Sequence, residues 1–137
     1  MTTEIRIDRV LPATIGKVYD AWTQPELLVQ WYCPNPKLEL KVKADVRVGG
    51  DYVVEMGPHV VRGTYLEVEP PGRLVFSWKW DGTADDPTRV EVELTSVPEG
   101  TRMVLSHTGF ATADDAANHQ QGWDPEILRL VELLSAQ

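Results

Sequence analysis

The sequence predicts an α+β domain in which a curved antiparallel sheet is crossed by a long C-terminal helix. Three observations lead there. Residues 38–107 are a succession of alternating apolar and polar segments separated by Gly- and Pro-containing turns, the pattern of strands joined by hairpins. Residues 112–134 switch to apolar spacings of three and four, the period of a helix with one buried face. Two short helical segments rich in aromatic residues stand between the first strand and the hairpins. A terminal amphipathic helix needs an apolar surface to cover, and a bent sheet offers one; the space between the two could be a pocket.

Each element has its own signature. From Glu4 to Val10, Ile5 and Ile7 alternate with charged neighbours, which predicts a short edge strand with one wet face. Thr14 is a cap for a helix in which Ile15, Val18, Tyr19 and Trp22 recur at helical spacing. Pro25 opens a second short helix through Leu27, Leu28 and Trp31, since proline is tolerated in a first turn.

Strands follow from Leu38 to Ala44, from Tyr52 to Met56 after the Gly49-Gly50 turn, and from Val60 to Glu69 after Gly57-Pro58. Gly63 falls inside that last strand and marks a bulge or bend. Leu74, Phe76, Trp78 and Trp80 then project to one face, which requires a bulky cover. Val90, Val92 and Leu94 form the next strand, and Met103, Leu105 and His107 the last.

Thr112 to Asp115 has the form of a capping box, and Trp123, Ile127, Leu130, Val131 and Leu134 share one face of the helix it opens. Pro125 conflicts with that helix, because an interior proline costs roughly 3 kcal/mol. A kink or short break is therefore expected near residues 121–124.

Composition narrows the function. The 137 residues fit one domain spanning residues 1–137, and an apolar share of 42% with five tryptophans supplies a substantial core. A net charge of −8 argues against nucleic acid and anionic membranes as partners, because both are bound through Lys and Arg. No apolar run is long enough to span a membrane, and Met1 to Glu4 lacks the basic-then-apolar plan of a signal peptide, so a cytoplasmic location and no membrane insertion are expected. Cys33 is the lone cysteine and is read as an inert thiol, with no local basic residue to activate it. Three scattered histidines and one cysteine lack the spacing of a metal site, so no metal is expected. Neither a P-loop, nor a dinucleotide fingerprint, nor a serine elbow occurs, and no cofactor is expected.

The segments that remain are Ala21 to Trp31 (AWTQPELLVQW), Val48 to Tyr52 (VGGDY), Gly63 to Trp78 (GTYLEVEPPGRLVFSW), Ser106 to Phe110 (SHTGF) and His119 to Trp123 (HQQGW). Taken in order they resemble proteins similar to the activator of Hsp90 ATPase homologue, the AHSA1-like group of the START and Bet v 1-like superfamily (SRPBCC). The resemblance implies a helix-grip fold: a curved antiparallel sheet wrapped around a long C-terminal helix, with two short helices after the first strand and a cavity beneath the helix. It brings no shared catalytic set. The chain departs from the group's pattern at Pro125 and at Tyr32-Cys33-Pro34, where Trp-Gly-Pro is usual.

The resulting expectation is a domain that binds a small hydrophobic or aromatic molecule between the last helix and the sheet. Strand parity and helix face select Trp22, Tyr52, Tyr65, Trp78, His107, Trp123 and Ile127 as its lining, with core filling as the competing role of each aromatic ring. A cavity enzyme using His107 or His119 is the alternative from another class, and for each imidazole a structural role competes with it. His59, in a turn, is expected to face solvent. Contact with a chaperone is a third possibility, implied only by the resemblance. The sequence leaves oligomeric state open, a homodimer included.

Overall fold

The computed structural model describes residues 4–32, 37, 39–82 and 86–135. The elements in chain order are β1 (Ile5–Leu11), α1 (Ile15–Thr23), α2 (Pro25–Trp31), β2 (Leu40–Ala44), β3 (Asp51–Met56), β4 (His59–Glu69), β5 (Arg73–Trp80), β6 (Thr88–Val97), β7 (Gly100–Thr108) and α3 (Ala113–Ser135). Cys33 and Leu38 lie outside the described residues. The seven strands form one antiparallel sheet in the order β1-β7-β6-β5-β4-β3-β2. Strands β2 to β7 run as a meander, and β1 closes on β7 with Ile5 opposite His107 and Leu11 opposite Thr101. The first strand is thus an edge, as its short alternating pattern predicts.

One face of the sheet carries the core. Leu74, Phe76 and Trp78 of β5, Val90, Val92 and Leu94 of β6, and Met103, Leu105 and His107 of β7 alternate inward and are buried. The helices close over them with Val18, Trp22 and Trp31 from α1 and α2, and Trp123, Ile127, Leu130 and Leu134 from α3. Each such apolar side chain contributes roughly 1.5–3 kcal/mol on burial. Trp31 also donates its indole N–H to the Ala21 carbonyl at 2.9 Å, which fixes the angle between α1 and α2. The outer face is polar: Arg73 and Arg89 share Glu67 and Glu91 in a set of ion pairs. Val75, whose cross-strand partners are those same two glutamates, is fully buried on this side.

The bend in β4 has two parts, and the sequence locates only one. Gly63 is not the bulge: the register of β4 against β5 shifts between Tyr65 and Glu67, around the exposed Leu66. Gly63 is instead a point of close approach, where a Cβ would overlap the Ser77 carbonyl oxygen and the Tyr52 ring. The Tyr52 hydroxyl crosses this position to donate to the Ser77 carbonyl at 2.6 Å, and the Thr64 N–H turns to the Ser77 hydroxyl at 2.9 Å. Side chains thus replace ladder bonds where the strand turns.

α3 also differs from expectation. It starts where predicted, with the Thr112 hydroxyl accepting the Asp115 N–H at 3.1 Å. No break follows, however, and the helix runs through Pro125 without interruption. Pro125 leaves the Gln121 carbonyl without its usual donor, but Gln121 is on the exposed side, where water can serve. The Gln120 amide clamps the same turn by donating to the Asp124 carboxylate at 2.7 Å. Among the described residues, no helix is long and apolar enough to cross a membrane.

Candidate functional site

α3 does not fill the space beneath it. Near the end of the sheet formed by β3 and β5, a cavity of about 310 Å³ remains between Met56, Trp78 and Trp80 on the sheet and Asn118, His119, Gly122, Trp123 and Glu126 on the helix. Both walls follow from local periodicity. Trp78 and Trp80 are two apart on a strand and so share a face, and His119, Gly122, Trp123 and Glu126 are three or four apart on a helix and so form one stripe. Gly122 leaves its part of that stripe empty, since a Cβ there would meet nothing within 4 Å.

The two histidines beside this cavity are held by the indoles. Trp123 donates its N–H to His107 Nδ1 at 3.0 Å, so the His107 proton sits on Nε2 and is donated to the Thr88 hydroxyl at 2.6 Å. Thr88 in turn donates to the Trp78 carbonyl at 3.1 Å. The chain of bonds ties α3 to β5, β6 and β7. Burial holds the His107 imidazole down to about 3, with the nearby His119 adding to the effect, so it is neutral at any physiological pH. His119 repeats the arrangement closer to the surface: Trp80 donates to its Nε2 at 3.0 Å, and its Nδ1 donates to the Asp115 carbonyl at 2.8 Å. Neither ring keeps a free nitrogen, so the general-base role considered for them has no lone pair to use. The Trp80–His119 bond also stands between the apolar cavity and a more polar groove of about 560 Å³ on the far side, where Lys79, Asp86 and Asp115 gather.

Besides His119 and the exposed Asn118, the polar side chain bordering the cavity is Glu126. It is 4% exposed, borders the cavity, and takes part in no hydrogen bond or ion pair among the described residues. Burial pushes its carboxyl well above the usual range, opposed only in part by Arg129 one turn on. Burial likewise raises the phenol of Tyr32, with Tyr52, Glu126 and Tyr65 adding to it. Sequence reasoning missed Glu126. The signal was available: it stands three residues after Trp123 and four before Leu130, a charge set inside the apolar stripe.

The seven residues selected from sequence divide into three groups. Trp78 and Trp123 border the cavity. Trp22, Tyr52 and Tyr65 surround a separate interior space of only about 10 Å³, scarcely room for one water, and there they act as core. His107 and Ile127 are buried and border neither space. A network of ring contacts connects the groups: Trp22 lies 6.1 Å from Trp123 and 4.8 Å from Trp31, and Trp123 lies 5.6 Å from Trp78. His59, expected in solvent, is exposed, with its ring 6.4 Å from Trp80. Among the described residues, no three of His, Cys, Asp and Glu come together in a way that could hold a metal ion.

Known proteins share this architecture. Protein CV1439 from Chromobacterium violaceum superposes with a TM-score of 0.84 at 28% identity over 98% of both chains. Protein NE0264 from Nitrosomonas europaea gives 0.82 at 26% identity over 98% of this chain and 95% of its own. CalU16 from Micromonospora echinospora gives 0.77 at 26% identity, over 96% of this chain and 76% of its own. No curated protein matches the sequence. The profile of one family covers residues 12–135, nearly the whole described fold. With that match added to a sheet wrapped on its last helix, the chain belongs to the family described as activator of Hsp90 ATPase homolog 1-like protein.

Proposed function

We propose that the chain binds a small hydrophobic or aromatic molecule in the cavity between α3 and the sheet. The observation that carries this reading is the cavity itself: about 310 Å³, walled by Met56 and the indoles of Trp78, Trp80 and Trp123, with few polar groups. That size lies at the small end of the range for ligand sites, roughly 300–1,000 Å³. Commitment of both imidazoles to protein partners favours binding over acid–base chemistry at His107 or His119. A chaperone contact, which the family description suggests by name, is separate from this reading.

Intrinsic fluorescence tests the proposal, because three of the five tryptophans border the cavity. Titration with a panel of aromatic and short aliphatic compounds is expected to give saturable quenching or a spectral shift with at least one member. The absence of any response across the panel, in protein with a native circular dichroism spectrum, would refute it.

A further inference from the structure

Glu126 gives the cavity a chemical preference that its apolar walls alone would not. We infer that the ligand is an organic cation, an amine or quaternary ammonium on an aromatic or aliphatic body, whose positive group is received by Glu126 within the tryptophan walls. The inference rests on the binding reading above and adds the charge of the ligand to it.

Three observations combine. Glu126 is 96% buried, since only 4% of it is exposed, and it borders the cavity without a hydrogen-bonding partner among the described residues. A carboxylate in such a place is costly unless an opposite charge joins it. Among the described residues no lysine or arginine borders the cavity, His119 has both ring nitrogens engaged, and Arg129 one turn on offsets the burial of Glu126 only in part, so a positive group that pairs with an ionised Glu126 inside the cavity comes with the ligand. Finally, Trp80 and Trp123 direct their N–H groups to His119 and His107. Those two therefore turn ring surface rather than donors to the cavity, whereas the Trp78 N–H is buried without a partner; indole is the aromatic system that attracts cations most strongly. An anionic ligand would meet a carboxyl that burial already keeps from ionising, and a neutral one would leave Glu126 protonated and gain no ion pair.

Burial also favours the protonated carboxyl in the empty cavity. Arrival of an ammonium group reverses that preference, so the Glu126 proton passes to solvent as the ion pair forms. Proton release on binding is thus a second signature of the same event.

Three probes with one aromatic body separate the charge preference from the pocket itself: phenethylamine, 2-phenylethanol and 3-phenylpropionate, titrated calorimetrically at pH 7 into the full chain and into Glu126→Gln. The wild type is expected to bind phenethylamine at least tenfold more tightly than the alcohol, and the propionate most weakly. Glu126→Gln should lose that preference while its affinity for the alcohol changes less than about threefold. The amine enthalpy in wild type should vary with buffer ionisation enthalpy, and that dependence should disappear in the variant. If the alcohol or the propionate binds as well as the amine, or if the amine preference survives in Glu126→Gln, the cation inference is overturned and the pocket reading stands. If none of the three binds to folded protein, both fall.

Discussion

Replacing His107 by glutamine tests the bond chain that anchors α3 to the sheet, and its effect should depend on pH in a calculable way. The imidazole has a folded value of about 3 against an ordinary 6.5. Between these values the unfolded chain binds a proton that the native protein refuses. The folded value is depressed, so the neutral ring's contribution is complete above about 6.5 and is lost as pH falls toward 3. The limiting slope is about 1.4 kcal/mol per pH unit. From pH 7 to pH 5 the wild type should therefore lose about 2 kcal/mol that His107→Gln does not lose.

At pH 7 the variant itself starts lower. Glutamine reproduces the reach of the imidazole imperfectly, and the buried Trp123 N–H costs about 1–3 kcal/mol when left without a partner, whereas the half-buried Thr88 hydroxyl keeps its bond to the Trp78 carbonyl. Urea denaturation of both proteins at pH 5, 6 and 7 supplies the comparison. The stability gap should be widest at pH 7 and narrow by about 2 kcal/mol at pH 5. A gap that stays constant over this range would mean that the ring titrates normally in the native protein, and the argument from burial would be refuted.

Other perturbations probe the remaining structure. Glu126→Gln should stabilise the empty protein at neutral pH. The raised carboxyl keeps its proton in the native state while the unfolded chain ionises above about 4.5, so wild-type stability falls as pH rises through that window, at up to about 1.4 kcal/mol per unit. Chemical denaturation at pH 4 and pH 7 should show the variant gaining only at the higher pH; equal effects at both would contradict the buried carboxyl. Gly63→Ala should destabilise by at least about 2 kcal/mol, since a methyl group there displaces the Tyr52 ring and the Ser77 carbonyl. A variant within 0.5 kcal/mol of wild type, the ordinary range for a harmless surface change, would show that β4 does not approach its neighbours so closely. Pro125→Ala restores an N–H for the Gln121 carbonyl in an already helical segment and should raise thermal stability, by up to about 3 kcal/mol; a lowered midpoint would show that proline fits this turn better than alanine.

Much of this molecule is legible in its sequence because periodicity reports which face of an element is buried. The alternation of Leu74, Phe76 and Trp78 and the spacing of Trp123, Ile127, Leu130 and Leu134 predict the two core layers directly. Periodicity does not report how far apart the layers stand. Trp22, Tyr52 and Tyr65 are inward by the same rule as Trp78 and Trp123, yet the first three close around a space of about 10 Å³ while the latter two border one of about 310 Å³. The difference depends on Gly122 and on the position of α3, both properties of packing. Pro125 misled for a related reason: propensity describes an isolated helix, whereas tertiary contacts from Trp123 to Leu134 hold this one through the proline. The partners that tie the histidines to other elements were invisible because the bonds to Trp123, Thr88 and Trp80 join residues 16 to 39 positions apart. Glu126 could have been found, as a carboxylate on a face otherwise reserved for apolar side chains.

If α3 covers the sheet while leaving an apolar space open to a ligand, Gly122 is the position from which that space can be closed. Native mass spectrometry of wild type and Gly122→Leu, both isolated from the natural host and shown to fold alike, compares the open cavity with the filled one. A retained small molecule is expected on the wild type and its loss from the variant, whose leucine side chain would occupy the space that no Cβ now reaches. A wild type that carries nothing, or a variant that carries the same mass, would contradict it.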